Sequence, residues 1–565
     1  MSNPFDKLDL SLEDLNGPKV DRRTTMKLLA AGGMAGFAGC LGGNGEDGNG
    51  GNGGNGNGGD GNGNGGETPS EDQHGGRLQA GWSTSETGSL NPAFQTTRSI
   101  YRISNNIFSA PLKFNSDAEI VGDLATDWEI SDDGLTYTME LKDDVTFHNG
   151  DHFTADDLVF TLAHAEEQDY FAWDAHLEGN LRSMDDDGAV AVDDYTIEFN
   201  WEEPIGPGLA YLTRGVGRAA CVLNQNALEE MGEEEYGLMP VSTGAFKVVD
   251  HELHNTITLD RFEDYHEMDD DGNQLPYLDG VDITLVPEAD SAANGLATGE
   301  LHFVQEPAEE SIDVIDSVDN AQVIQDQGAN FQAFGFNQER EPFDDPQFRL
   351  AIAKAIDEEQ FIEDAFFGTA DYSGGPIGPS IAWAYRDDKP DTQTYDPEGA
   401  MEILEEIGQE DATIEIMIWT GGDRWVREMA IQLEEVGIEV EEAIVPVSTY
   451  SERQTNGDFD AIFPGAFGRF DPDQFLYTLY HSEGAWSHWN AWSTDEMDDL
   501  LERQRREVDL ETRTELMHEI EDILIEDVVD IYLGHHNDLY ALSNDVGGYV
   551  SMAEQRNFHT VYLNE

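Results

Sequence analysis

From Leu41 to Gly66 the chain is almost nothing but glycine and asparagine, and no packed structure can begin until that tract ends. Such residues bury no apolar surface, so nothing offsets the backbone entropy that ordering would cost. The tract reads as a flexible coil whose reach grows with the square root of its length. It divides the sequence into a leader, residues 1–40, a tether, residues 41–75, and a body that starts near residue 76.

The leader has three parts in order. Arg22, Arg23 and Lys27 are basic, Leu28 to Ala38 is a small-residue apolar run, and Phe37-Ala38-Gly39-Cys40 closes it. Crossing a bilayer takes about 20 apolar residues, so the run reads as an export signal rather than a membrane span. The pair Arg22-Arg23 points to the twin-arginine route. Small residues leading into Cys40 resemble a lipobox, which makes Cys40 the expected first mature residue and the carrier of a lipid anchor. The body is then expected on the extracellular face of the cell membrane.

Acidic residues number 117 against 29 basic ones, for a net charge of −88, while apolar residues still make up 39% of the chain. The acids are spread evenly, so the surplus marks neither a disordered tail nor a single basic partner. Self-repulsion of this size opposes folding at low salt, and a Debye length of about 3 Å at 1 M salt removes it. An extreme halophile is the expected source. Nucleic acid binding is excluded for want of a basic patch. Cys40 and Cys221 are the two cysteines; with Cys40 lipidated, Cys221 is expected to be a buried apolar residue, and no disulfide framework forms. Roughly 490 residues of body exceed one core and call for two or three lobes.

Strands are expected at Arg77 to Trp82, Trp128 to Ile130, Thr136 to Leu141 and Thr196 to Trp201, where apolar and polar residues alternate. Phe246 to Val249 and Thr256 to Leu259 read as a hairpin. Thr154-Ala155-Asp156-Asp157 places an N-cap and first-turn acids ahead of a helical stripe. Helices are expected at Gln347 to Ile356, Pro397 to Ile407 and Arg424 to Val436, with strands at Ile414 to Trp419 and Gly437 to Val440. The mixture argues an α/β body.

One stretch is specific. Between Leu124 and His164 lie Trp128, Ser131, Asp133-Gly134, Tyr137-Thr138, Phe147-His148-Asn149-Gly150 and Thr154-Ala155-Asp156-Asp157. This series closely resembles the signature of the family-5 extracellular solute-binding proteins, the peptide-binding components of ABC importers. The resemblance continues through Ser242 to Val248, Phe336-Asn337, Pro342-Phe343-Asp344-Asp345, Ala351 to Asp357, Gly375 to Pro379, Tyr395-Asp396-Pro397 and Gly457 to Asp460, and covers about residues 76 to 560. It implies a type II, cluster C periplasmic-binding-protein-like fold, with two main lobes, an accessory lobe and a hinge-closed ligand cleft. Lobe I would comprise 76–115, 240–330 and 530–565, accessory lobe II 116–239, and lobe III 331–529. His148 invites a metal or catalytic reading, but its position in the family is scaffold, and a turn-packing role is expected.

The resemblance also implies a ligand site and partners. Trp82, Ser83, Thr84, Ser85, Glu86 and Thr87 leave lobe I where the family's cleft lies, and Trp419, Thr420 and Gly421 end a lobe III strand at a comparable place. In peptide binders a further strand carries an aspartate that pairs with the peptide's amino group. Here that stretch runs Gly465, Ala466, Phe467, Gly468, Arg469, Phe470, Asp471, with Arg469 in the aspartate's place. A guanidinium binds carboxylate or phosphate rather than ammonium. Either Asp471 takes over the anchoring or the ligand has no free amino terminus. Peptides are the first expectation, with sugar oligomers, nickel chelates and small anions as alternatives on the same scaffold. Trp383, Trp486, Trp489 and Trp492 are further stacking candidates. Partners would be the permease and ATPase subunits, with the binding protein itself a monomer.

Rival classes find little support. There is no Gly-x-Ser-x-Gly elbow and no His-Glu-x-x-His helix, so a secreted hydrolase is remote, and no catalytic, cofactor or metal residue is expected. Asp185 to Gly188 and Asp269 to Asn273 faintly resemble calcium loops but lack the full register.

Overall fold

The computed structural model describes residues 74–564 apart from 85–86, 96–97, 171, 174–176, 178–179, 216–217, 287–288, 467–470, 485, 490 and 552–556. The first strand forms where alternation places it: β1 is Arg77–Trp82, followed by helix α1, Arg98–Ser104. Next comes an antiparallel sheet of β2 (Ala125–Ile130), β3 (Thr136–Leu141), β4 (Ala189–Asp193) and β5 (Thr196–Asn200), in the order β2-β3-β5-β4. Helix α2, Ala155–Glu167, starts where the Thr154 amide donates to the Asp157 carboxylate at 2.8 Å. It lays Leu158 and Leu162 on a core with Phe147, Phe153, Phe199 and Trp201. These elements share a core of their own and are called lobe II below.

The chain then returns to β1. Hairpin β6 (Phe246–Glu252) and β7 (Thr256–Arg261) is followed by β8 (Gly280–Leu285) and β9 (Phe303–Gln305). A 16-residue strand, β10 (Ala321–Phe336), leads into lobe III. There helices α3 (Pro346–Ala355), α4 (Pro397–Ile407) and α5 (Asp423–Glu435) cover strands β11 (Thr413–Trp419), β12 (Glu439–Val445), β13 (Ala461–Ile462) and β14 (Gly465–Ala466). Helices α6 (Asp473–Tyr480), α7 (Asp495–Arg506) and α8 (Leu510–Glu526) cover the other face, and β15, Asp530–Ser543, runs back to lobe I. The strand expected at Gly437 to Val440 begins two residues later and extends to Val445. Gly437 takes φ +97° in the turn after α5, which an extended strand cannot include.

One sheet joins the two main lobes, in the order β12-β11-β13-β10-β15-β9-β1-β8-β7-β6. β10 and β15 are antiparallel along nearly their whole length and pass through both lobes. Their register shifts between Asp326 and Asn330 and again between Gln332 and Ala333, bulges that bend a strand pair. Gly328 sits in the first shift because a Cβ there would come within 1.9 Å of the His536 carbonyl oxygen. Cys221 is buried and has a free thiol that burial pushes up to about 12. Among the described residues no helix is long and apolar enough to cross a membrane.

Candidate ligand cleft

The strand ends build the site. β1 runs parallel to both β8 and β9, and β11 runs parallel to β12 and β13. β13 is antiparallel to β10, so the carboxyl ends of the two parallel groups face each other along the long strand pair. The lobe I group stops level with Tyr540 and Ile324, where Gln305 of β9 pairs, and β14 of lobe III pairs at Phe331. Along β15 the same gap runs from Tyr540 to His535, five positions, about 17 Å at 3.3 Å per residue. Crevices at the carboxyl ends of parallel strands are where α/β sheets take ligands. Here two such edges share one floor, made of the bulged segments of β10 and β15.

A buried ion cluster stiffens that floor on the lobe I side. Arg102 on α1 is fully buried; its Nη2 donates to both oxygens of Asp538 at 2.8 Å, and its Nη1 donates to Glu306 at 2.6 Å. Asp538 faces Asp326 across the strand pair. Glu306, directly after β9, adopts φ +50°, a left-handed backbone that costs a non-glycine residue about 1–3 kcal/mol. Sequence reasoning missed Arg102, Glu306 and Asp538, which carry no motif. The available signal was a single cation within the apolar spacing of Ile100, Ile103 and Ile107.

The residues expected at the site fall on these edges in different states. Trp82 ends β1 with its ring wholly buried, its Nε1 donating to the Ser99 carbonyl at 2.7 Å and its faces against Phe303 and Phe558. It is a packing residue of lobe I in this state, whereas Ser83 and Thr84 are half-buried at the strand exit. Thr87 is buried, its hydroxyl oxygen accepting from the His254 amide and lying 3.2 Å from His251 Nε2. Trp419 ends β11 edge-on to Trp425 and Tyr450, Thr420 is exposed, and Gly421 takes φ +113°. Gly465 and Ala466 form β14 against Gln332 and Phe331 of the floor. Ser85, Glu86, Phe467 and Arg469 lie outside the described residues, as do Arg22, Arg23 and Cys40.

Asp471 is buried and paired through both oxygens. Its two oxygens accept from Arg513 Nη1 and Nη2 at 2.7 and 2.6 Å, and one also accepts the Asp473 amide at 3.0 Å. Two residues on, buried Asp473 accepts from Arg505 and Gln504, and its carboxyl is held below the usual range by Arg505 against the opposing pull of burial.

Other candidates resolve into structure. Trp383 lies under the Arg513 guanidinium, and Trp486 and Trp489 stack on each other 4.9 Å apart. Trp492 lines a recess of about 380 Å³ with Asn337, Ser487 and His488, at the end of β10 away from the cleft. His148 packs on Phe262, with Nε2 3.0 Å from the Gly244 carbonyl. Asp269 accepts from the amides of Asp271 and Asn273, from Asn273 Nδ2 and from the Tyr277 hydroxyl. Asp123, His266 and Glu267 lie close enough together to share an ion, but Lys113 pairs with Glu267 and Arg214 stands 3.8 Å from Asp123. Two cations already balance the two carboxylates there.

Residues 119–487 match the family model of bacterial extracellular solute-binding proteins, family 5. The chain belongs to that family. This solute-binding protein is 26% identical over 514 residues to the oligopeptide-binding protein AppA of Bacillus subtilis, covering 86% of this chain and 91% of that protein. It is 27% identical over 477 residues to heme-binding protein A of Haemophilus influenzae, covering 79% and 85%. Its fold superposes on the Helicobacter pylori periplasmic binding protein DppA, solved with the peptide STSA, with a TM-score of 0.72 at 25% identity, covering 88% of this chain and 99% of that one. The α/β, multi-lobed binding-protein architecture is thus established. The family is one of solute-binding proteins rather than enzymes.

Acid sensitivity follows from the histidines of the solute-binding protein. Burial, opposed by the Gly375 carbonyl, holds His535 beside the cleft floor down to about 4; burial likewise holds His148 and His559 to about 4. In the unfolded chain each titrates near 6.5. Below that pH the unfolded state binds protons that the folded state refuses, so stability is complete above about 6.5 and falls as pH drops toward 4. The expected loss from the three histidines is on the order of several kcal/mol by pH 5, and exceeds the opposing gain from Glu358, whose carboxyl burial raises to about 8. Melting curves at pH 7.5, 6 and 5 in constant molar salt check it; a melting temperature flat across that range would refute it.

Proposed function

We propose that the protein is exported by the twin-arginine route, anchored by a lipid on Cys40 outside the cell of a halophile, and captures peptides for an ABC permease. The solute-binding role is the family's. The peptide reading is supported most by the two strand edges that face each other over a shared floor. An extended ligand laid between such edges pairs its backbone with the protein's and leaves its side chains in wet pockets. The names of AppA and of the peptide-bound Helicobacter protein agree with it. Lobe I comprises residues 76–115, 240–330 and 530–565, the accessory lobe 116–239 and lobe III 331–529, with closure about β10 and β15. The binding protein works as a monomer beside separate permease and ATPase subunits.

A second reading keeps the scaffold and changes the ligand. Asp471 is buried and already paired with Arg513 through both oxygens, which disfavours it as the anchor of a peptide's ammonium group, and one relative is named for heme. The deciding experiment is a thermal-shift series on the purified protein in about 2–3 M KCl. Di- to hexapeptides, N-acetylated peptides, sugars, nickel–histidine, heme and organic anions are compared. Ligand at 100 times its Kd adds about 2.7 kcal/mol, a shift of a few degrees in a protein of this size. Free peptides are expected to give it; a shift confined to the non-peptide ligands would replace the peptide reading with the second one.

A further inference from the structure

Lobe II is inserted in lobe I and fastened to it. The Ser242 hydroxyl donates to the Val222 carbonyl at 2.7 Å, His148 reaches the Gly244 carbonyl, and Arg214 Nη1 donates to the Asn105 carbonyl at 3.2 Å. Lobe III is joined to lobe I through the bulged pair β10 and β15, so closure moves lobe III relative to both other lobes. Yet lobe II also touches lobe III. The Gly206 amide donates to the Arg505 carbonyl at 2.7 Å, the Tyr211 hydroxyl donates to Asp473 at 3.1 Å, and Arg506 Nε donates to Glu203 at 2.6 Å. The Tyr211–Asp473 bond is buried, and Asp473 stands at the start of α6, just beyond the segment expected to line the cleft.

Gly206 shows what this contact demands. Its φ lies outside the left-handed region, so the backbone of lobe II does not require glycine there. A Cβ at Gly206 would instead meet the Glu507 carbonyl oxygen at 2.4 Å and the Arg513 side chain at 2.8 Å, both in lobe III. The absent side chain serves the approach of the other lobe.

We infer that the accessory lobe is a latch: residues Gly206 and Tyr211 seat on α7 and Asp473 when lobe III closes, and so slow ligand release. This rests on the reading that the protein captures ligand by hinge closure. Gly206 and Tyr211 are positioning residues, acting on the ligand through the closed state.

The test compares the wild type with Gly206→Leu, a wedge between the lobes, and Tyr211→Phe, which removes one hydrogen bond to a buried carboxylate. Each is made also in a protein carrying Val192→Cys and Leu510→Cys, two exposed sites in lobes II and III, for spin-label distances. Buried Cys221 stays unlabelled. The dissociation rate of a fluorescent tetrapeptide is expected to rise about tenfold in Gly206→Leu and a few-fold in Tyr211→Phe. The short distance should lose population in Gly206→Leu and gain it on peptide addition in the wild type. Circular dichroism shows whether Gly206→Leu has folded, and Tyr211→Phe, which leaves no steric conflict, carries the test alone if it has not. Unchanged release in the folded variants would overturn the latch, as would one wild-type distance with and without peptide. If no peptide binds the wild type, the peptide reading fails separately, and the distance populations of the variants still decide whether the contact is a latch.

Discussion

Moved from molar KCl into low-salt buffer, the protein is expected to unfold. The net charge of −88 remains even if every basic residue neutralises one carboxylate. Nearly all of that surplus lies on the surface, because the buried charged residues among the described ones, five arginines and seven carboxylates, nearly cancel. At 1 M salt the Debye length of about 3 Å confines each carboxylate's field to its neighbours; at 0.01 M it extends about 30 Å and the whole coat repels itself. Against a total stability of about 5–15 kcal/mol, even a few tenths of a kcal/mol per carboxylate is enough to reverse the balance. The check is far-UV circular dichroism and melting temperature from 0.05 to 3 M KCl, with sucrose controls of equal osmolality. A steep rise of melting temperature with KCl and a weaker one with sucrose is the expected result. Equal stability at 0.1 and 3 M KCl would sink the halophile reading.

Local patterns were read correctly where one face of an element meets water. β1 and β3 run over the residues their alternation marks, α4 covers Pro397–Ile407, and Thr154 caps α2. The two strands that organise the molecule were invisible for a physical reason. β10 and β15 are buried on both faces for much of their length, so they show no alternation, and their bulges break what period remains. Short motifs place the edges of the cleft, since Trp82 and Trp419 are strand ends that sequence pattern can find. The floor was not found, because Arg102, Glu306 and Asp538 come from segments about 200 and more than 400 residues apart and meet only through sheet order. Likewise nothing around Asp471 announces that Arg513, 42 residues on, will occupy both its oxygens.

That pair gives the second large effect. Asp471→Ala leaves the Arg513 guanidinium, 3% exposed, with only the side-chain and carbonyl oxygens of Gln504 to accept from it. Removing one partner of a buried pair costs about 3–5 kcal/mol. Arg513→Met strands the Asp471 carboxylate instead and is expected to cost as much. The double variant Asp471→Leu with Arg513→Met replaces both charges by apolar groups, and buried pairs exchanged in this way come out near neutral. The signature is therefore non-additive: two damaging single variants and a double variant close to the wild type, read from melting curves in molar salt. Ligand affinity separates structure from recognition. If Asp471 serves Arg513, folded Asp471→Asn keeps wild-type affinity for the ligand that the thermal-shift series identifies while losing melting temperature. If it anchors the ligand's amino group, affinity collapses and melting temperature holds, and the engagement by Arg513 would have to open on binding. Since α8 carries Arg513 and Asp471 directly precedes α6, the first outcome makes the pair a brace that fixes the lobe III wall of the cleft, leaving ligand choice to the residues that line it.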